Sequence, residues 1–313
     1  MSTATGKWVW LAVLAVLLLA PFIGLYPVFM MKALCYAIFA CAFNLLLGYT
    51  GLLSFGHAAF LGAAAYATGW LVRSAGWSPE LGVLAGTGIA ALLGLGVGLL
   101  AIRRQGIYFA MITLALAQMV YFVCLQAPFT GGEDGLQGVP RGVLFGFIPL
   151  SSDITLYFVV LAVFVAVFAL IVRIVHSPFG QVLKAIRENE PRAISLGYDV
   201  DRYKLLAFVL STALAGLAGS LKTLVLGFAT LSDAHWSLSG EVVLMTLLGG
   251  MGTFAGPVIG AFTIIGLQDH LSDRVGSWVT VIIGAIFVAC VIAFRRGFVG
   301  ELLAWQRRRS TRH

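Results

Sequence analysis

The sequence predicts an all-α, polytopic membrane protein with about eight to ten transmembrane helices, and three observations carry that prediction. Of the 313 residues, 60% are hydrophobic and only 11% charged, with a mean hydropathy of +0.98, whereas a soluble domain is about 45–50% apolar. Apolar runs of the ~20 residues needed to cross a bilayer recur along the whole chain. No polar stretch between them is long enough to fold separately, so residues 1–313 read as one membrane-embedded domain.

Taken in order, the runs place spans near residues 8–27, 33–47, 57–72, 81–101, 107–126, 154–175, 205–228, 241–250, 256–270 and 278–294. The first, "WVWLAVLAVLLLAPFIGLYPVF", follows Lys7 like the core of a signal peptide. Ala20 is followed by Pro21, however, which spoils a cleavage site, so it reads as a retained span. Cys35, Cys41, Cys124 and Cys290 lie in apolar runs without CxxC spacing, which suggests neither disulfides nor a metal site.

Charge orients the spans. With the N-terminus inside, Lys32, Arg73, Arg141, Lys222 and Arg274 fall outside and the other 15 of the 20 basic residues fall inside, as the positive-inside rule asks. Both termini, and the basic tail at 295–313, are then cytoplasmic. The net charge of +7 reflects this asymmetry and an anionic inner leaflet, with no need of nucleic acid. Lys222, about one turn from the outer end of its span, is expected to snorkel.

Two span pairs are interrupted, 33–47 with 57–72 by "GYTGLLSFG" and 241–250 with 256–270 by "MGTFA". These are two broken or re-entrant segments, and the sequence does not decide between short crossings and half-helices. "LLGYTGLLSFGHAAFLGA" at 46–63 resembles "LLGGMGTFAGPVIGA" at 247–261, which suggests an internal duplication of the kind transporters carry. Irregular backbone at membrane depth is tolerated only where protein buries it or a cavity bathes it. Asn44, Tyr49, Thr50, Ser54 and His57 surround the first break, and Glu241, Thr246 and Thr253 the second. They are candidates to line a path for a small polar solute. The competing reading is that the glycines permit close helix packing, the hydroxyls satisfy freed carbonyls and His57 is a hydrogen-bonded structural histidine. Gln118 joins the candidates, with an interhelical hydrogen bond as its default role. The glycine-rich outer loop at 127–142, with Glu133, Asp134 and Arg141, fits either a docking surface or a solvated connection.

The stretch "SPFGQVLKAIRENEPRAISLG" at 177–197 concentrates charge on the cytoplasmic side. Ser177 and Pro178 make a helix start, the following residues are amphipathic, Pro191 opens a second short helix and Gly197 closes it. Helix, sharp turn, short helix is either a knob that carries force to a partner or a helix resting on the membrane surface. The chain has no G-x-x-x-x-G-K-[ST] motif, no cluster with metal-ligand spacing and no nucleophile beside a base, so no catalytic residue and no cofactor are assigned. It has a pathway and no engine of its own.

Five ordered blocks, "FNLLLGYTGLLSFGHAAFLGAAAYA", "RRQGIYFAMITLALAQM", "TGGEDGLQGVP", "LKAIRENEPRAISLGYDVDRYKLLAFVLSTALAGLAGSL" and "LLGGMGTFAGPVIGA", together resemble the LivM-type permease subunits of bacterial branched-chain amino-acid ABC importers. The resemblance runs from about residue 35 to 299. It implies a multi-pass subunit of the bacterial inner membrane, paired with a second, LivH-like permease. The pair would be mounted on two ATP-binding subunits that use the ATP, and supplied by a periplasmic substrate-binding protein. It implies import of branched-chain amino acids by alternating access, with urea, short amides or other amino acids as alternatives within the family. A stand-alone channel or secondary carrier is the alternative of another class. The loop at about 177–204 becomes the coupling loop, with Arg187, Glu188, Asn189, Glu190, Ala193 and Gly197 as contact or shaping positions. Here the chain reads "ENEPRAISLG" and departs from the EAA-x-x-x-G form of many such permeases.

Overall fold

A computed structural model describes residues 16–22, 24, 26–278, 281–286, 288 and 297–301. About half of each span expected at 8–27 and 278–294, both termini and Cys290 lie outside the described residues. Among the described residues the regular structure is helical apart from a small outer hairpin, β1 Val143–Leu144 with β2 Ile148–Pro149, and one isolated bridge. The helices are α1 Pro27–Thr50, α2 His57–Arg73, α3 Pro79–Ala101, α4 Ile107–Gln126, α5 Asp153–His176, α6 Pro178–Glu188, α7 Glu190–Ser195, α8 Val200–Leu226, α9 Trp236–Gly249 and α10 Gly256–Val275. Among the described residues α1, α3, α4, α5 and α8 are long and apolar enough to cross a membrane.

Helix α1 is apolar all round and buried along most of its length, the pattern of a central helix. With α8 it forms the core against which α2, α3, α5, α9 and α10 are laid. Close approach rests on a ladder of small residues. Gly82, Gly86, Ala90, Gly94 and Gly98 recur every fourth residue and turn one face of α3 to Thr68 of α2 and to Phe208, Thr212, Gly216 and Ser220 of α8. Without a hydrophobic drive between helices in lipid, such small-residue seams supply the van der Waals contact that holds them. The Thr68 hydroxyl donates to Ser220 Oγ at 2.8 Å across this seam. The opposite face of α3 carries the exposed Leu81, Leu84, Leu92 and Leu99.

The two broken regions resolve differently from each other. α1 is a full crossing of 24 residues. Its C-terminus meets the left-handed Gly51 (φ 80°), and residues 51–56 then run back into the membrane region. α2 starts at His57, level with Ser211 of α8, which is eleven residues and so about 16 Å from the cytoplasmic start of that helix. The true counterpart of this break is residues 227–235. α8 also ends on a left-handed glycine, Gly227 (φ 77°), and the chain turns inward past Gly62 of α2 before the 14-residue α9 begins. α3 packs on α8 as α10 packs on α1. The duplication therefore relates α1–α3 to α8–α10 in opposite senses. The resemblance of 46–63 to 247–261 does not mark it, since 250–255 is a tight turn joining α9 to α10, the place that 74–78 holds between α2 and α3.

The outer loop is ordered as well. Leu136 and Ala229 form an antiparallel bridge, Val139 N donates to Gly227 O at 2.8 Å, and Arg141 reaches both Asp153 (2.5 Å) and Val225 O (3.2 Å). Leu136 and Val139 are buried while Glu133 and Asp134 face solvent, so the loop is pinned at 136–141 and open to solvent at 133–134.

The seam makes a paired prediction. A Cβ at Gly86 would strike the Thr68 and Ser220 hydroxyls, whereas one at Gly88 meets open space. Gly86→Ala is expected to destabilise the fold by about 1–3 kcal/mol through overpacking, and Gly88→Ala to leave it unchanged or gain up to ~1 kcal/mol of helix propensity. Thermal unfolding of the two variants side by side in detergent reads the difference.

Candidate functional site

Three interruptions of helical backbone define the candidate site, and each is satisfied by side chains, some of its own and some from elsewhere in the chain. At 51–56, Phe55 N donates to Thr113 Oγ1 of α4 at 3.3 Å, Gly56 N to Ser54 Oγ at 3.2 Å and Ala58 N to Ser239 Oγ of α9 at 2.9 Å. At 250–255, the Asn44 amide is spent twice, accepting from Gly252 N and donating to Thr253 O, both at 2.9 Å. Thr253 Oγ1 donates to Gly250 O at 2.8 Å and accepts from Gly256 N at 3.0 Å. At 227–235, Thr230 and Asp233 form a reciprocal capping box.

The other sequence candidates divide. His57 is fully buried, its Nε2 2.8 Å from Ser211 Oγ, which donates onward to Ala42 O at 2.6 Å. The ring sits edge-on to Phe43, Phe60 and Phe208. Because the Ser211 proton goes to Ala42, His57 is the donor in their bond, and its Nδ1 is buried with no partner among the described residues. Thr50 and Thr246 return their hydroxyls to Leu45 O and Val242 O of their own helices. Glu241 Oε2 accepts from Gln268 of α10 at 3.1 Å. Tyr49 Oη and Gln118 Oε1 are buried with no hydrogen-bond partner among the described residues, so the interhelical bond expected of Gln118 through this oxygen is not formed.

Lys222 does not snorkel. It is buried and ion-paired with Asp233, whose second oxygen accepts from Thr230 N at 3.1 Å. The pair sits where α8 turns back toward α9 and holds the 227–235 return against the helix it leaves. Hydropathy alone conceals it: the pairing needs an acid eleven residues on, after a turn.

On the cytoplasmic side the charged block forms the expected helix pair. Ser177 caps α6, accepting from Gly180 N at 3.3 Å, and Asn189 caps α7, accepting from Arg192 N at 3.1 Å. Gly197 closes α7 with φ 85°. Ile186, Ala193 and Val200 form a small apolar core between α6, α7 and the start of α8. Glu190 is held by the buried Lys204 at 2.6 Å and by Gln105 at 2.8 Å. Arg187 turns inward and donates to Gly48 O at the end of α1. Of the sequence-predicted contact positions, Glu190 and Ala193 thus face the protein, Arg187 is exposed along its length but reaches inward with its guanidinium, and Glu188 and Asn189 are exposed. Beside them stand Ile194 and Leu196, 57% and 68% exposed. Neither is among the sequence-predicted positions.

Family comparison decides what carries this geometry. The model for the branched-chain amino acid transport system / permease component matches residues 28–291. The chain belongs to that family. It is similar to the high-affinity branched-chain amino acid transport system permease protein LivM of Escherichia coli, with 30% identity over 76% of this chain and 61% of the relative. It is also similar to E. coli LivH, with 25% identity over 85% of this chain and 91% of the relative. LsrC of Klebsiella pneumoniae, an autoinducer 2 import system permease protein, is 30% identical over 58% of this chain and 53% of its own. The match spans about six tenths of the length of the curated LivM relatives. No solved structure matches. As a member of this permease family the protein is a multi-pass membrane protein, and the family region takes in all three interruptions and the cytoplasmic helix pair.

The buried ion pair yields a test. Lys222→Met alone strands Asp233 and is expected to cost about 3–5 kcal/mol, whereas Lys222→Met with Asp233→Leu removes both charges and recovers most of that loss. Thermal unfolding of the single and double variants in detergent measures it; equal losses would show that the pair is not coupled.

Proposed function

We propose that the chain is the membrane-spanning permease subunit of an ATP-driven ABC importer that moves branched-chain amino acids (leucine, isoleucine, valine) from periplasm to cytoplasm by alternating access. It lies in the bacterial inner membrane, pairs with a LivH-like permease, rests on two ATP-binding subunits and receives solute from a periplasmic binding protein. The observation that carries this reading is the cytoplasmic helix pair. Its inner side is tied to the ends of the membrane helices, and its outer side leaves Ile194 and Leu196 uncovered beside Glu188 and Arg192. A helix at rest on a membrane would bury its apolar residues on one lipid-facing side. Here α6 turns Leu183 and Ile186 to the protein, and the free apolar residues lie past it on α7 and its C-terminal turn.

The exposed acids Glu133 and Asp134, on an outer loop braced by backbone bonds, suit docking of the binding protein. Of the path candidates, Tyr49, His57 and Gln118 keep unspent polar atoms for a zwitterionic solute, while Asn44 and Thr253 hold the turn that would gate it. A second solute class has support from LsrC, an autoinducer 2 import system permease protein.

The test is ATPase activity of the reconstituted complex with binding proteins loaded with leucine, loaded with urea or empty. Stimulation by the leucine-loaded form is expected. Leu196→Glu is expected to weaken attachment of the ATP-binding subunits by about 2 kcal/mol or more, roughly thirtyfold, the loss typical of a buried anchor. Solute movement with no ATPase present would overturn the importer reading, and stimulation by urea alone would overturn the solute.

A further inference from the structure

Arg187 occupies a place that its position in a charged surface block conceals. Its guanidinium donates through Nη1 to Gly48 O, one of the last carbonyls of α1, which no helical N–H satisfies. Cationic donors are favoured at such an end by the helix dipole as well. Its aliphatic stem lies over Gly51, where an added Cβ would come within 3.2 Å of its Cγ, and Nη1 lies 3.3 Å from where a Cβ on Gly252 would stand. Gly48 is itself in close contact with Gly252 N, and both meet the Asn44 amide. Three glycines thus open space for one arginine and one asparagine. The arginine, rooted in the cytoplasmic helix pair, bears on two interruptions at once: the junction of α1 with 51–56, and the turn at 250–253 that joins α9 to α10.

A second layer runs beside the first. Phe254 of that turn is stacked on His176, at the end of α5, with ring centroids 5.3 Å apart, and lies 5.9 Å from Tyr49. Lys184 of α6 stands 6.0 Å from the face of the Tyr49 ring. The turn is therefore gripped by polar groups on one side and aromatic rings on the other, and α6 supplies a cation to each.

We infer that Arg187 is a positioning residue, a pin that makes the helix pair, the end of α1 and the 250–253 turn move as one body, and not a contact to the ATP-binding subunits. This rests on the importer reading for its purpose but not for its geometry. A planar fork that donates at a fixed angle suits such a pin, and the ammonium of lysine would keep the charge without that direction. Displacement of the helix pair by a partner would then pull on both interruptions through a single side chain.

Two measurements on Arg187→Gln test it, with Arg187→Lys and the exposed Glu188→Gln as comparisons. In the purified chain, backbone hydrogen exchange at 48–56 and 250–256 is expected to rise tenfold or more together in Arg187→Gln, less in Arg187→Lys and not at all in Glu188→Gln. In proteoliposomes of the whole complex, leucine uptake per ATP hydrolysed is expected to fall at least tenfold in Arg187→Gln, with the ATP-binding subunits retained in wild-type ratio. A purely structural loss would lower uptake and hydrolysis together. Exchange that stays at the wild-type rate in both segments overturns the pin, whatever the complex does. Loss of the ATP-binding subunits from Arg187→Gln overturns it too, by placing Arg187 in their contact. If exchange responds but the wild type needs no ATP-binding subunit, the pin stands and the importer reading falls.

Discussion

Everything in this fold depends on how it satisfies backbone that is not helical at membrane depth. Hydrocarbon offers no partner to a free N–H or carbonyl, so each interruption must be completed from within the protein. The chain does this with side chains borrowed across the bundle. Thr113 and Ser239 serve the first break, Asn44 the turn between α9 and α10, and the Lys222–Asp233 pair with Thr230 the return after α8. Three of the residues that look like a solute path, Asn44, Ser54 and Thr253, are instead spent on irregular backbone.

That constraint and the close packing of helices support each other. Borrowed hydrogen bonds need donors and acceptors brought within about 3 Å across helices, and the small-residue seam of α3 on α8 permits that proximity. The two halves of the chain, α1–α3 and α8–α10, use the same plan in opposite senses: a long helix, a left-handed glycine, a non-α return inward and a short helix. Short helices that begin inside the bundle are packed along their lengths but end at turns. Their ends can be moved by whatever holds the adjoining turns, and on the cytoplasmic side the holder is the α6–α7 pair through Arg187.

Much of this is legible in the sequence alone. Hydropathy finds the long helices because each needs its own apolar length, and Ser177, Pro178, Pro191 and Gly197 announce the helix pair because capping and proline geometry are local. The directions of side chains are not legible. Arg187 reads as a surface charge because its acceptor, Gly48 O, is 139 residues away, and Asn44 reads as a path residue because its partners lie 208 and 209 residues on. The short apolar likeness of 46–63 to 247–261 misplaces the inverted duplication because it follows glycine usage, while the structural repeat follows helix order. The fourfold spacing of small residues in α3 stands in the sequence as a plain pattern and needs only to be counted.

The central claim is that the cytoplasmic helix pair and the 250–253 turn travel together. Paired spin labels measure it directly in the reconstituted complex, one set at the exposed Ser195 and Met251, the other at Ser195 and Leu99 on the outer face of α3. Between the nucleotide-free and ATP-bound states, the Ser195–Met251 distance should stay constant while the Ser195–Leu99 distance changes. A Ser195–Met251 distance that changes with nucleotide would show the helix pair moving free of the turn, and would contradict the account.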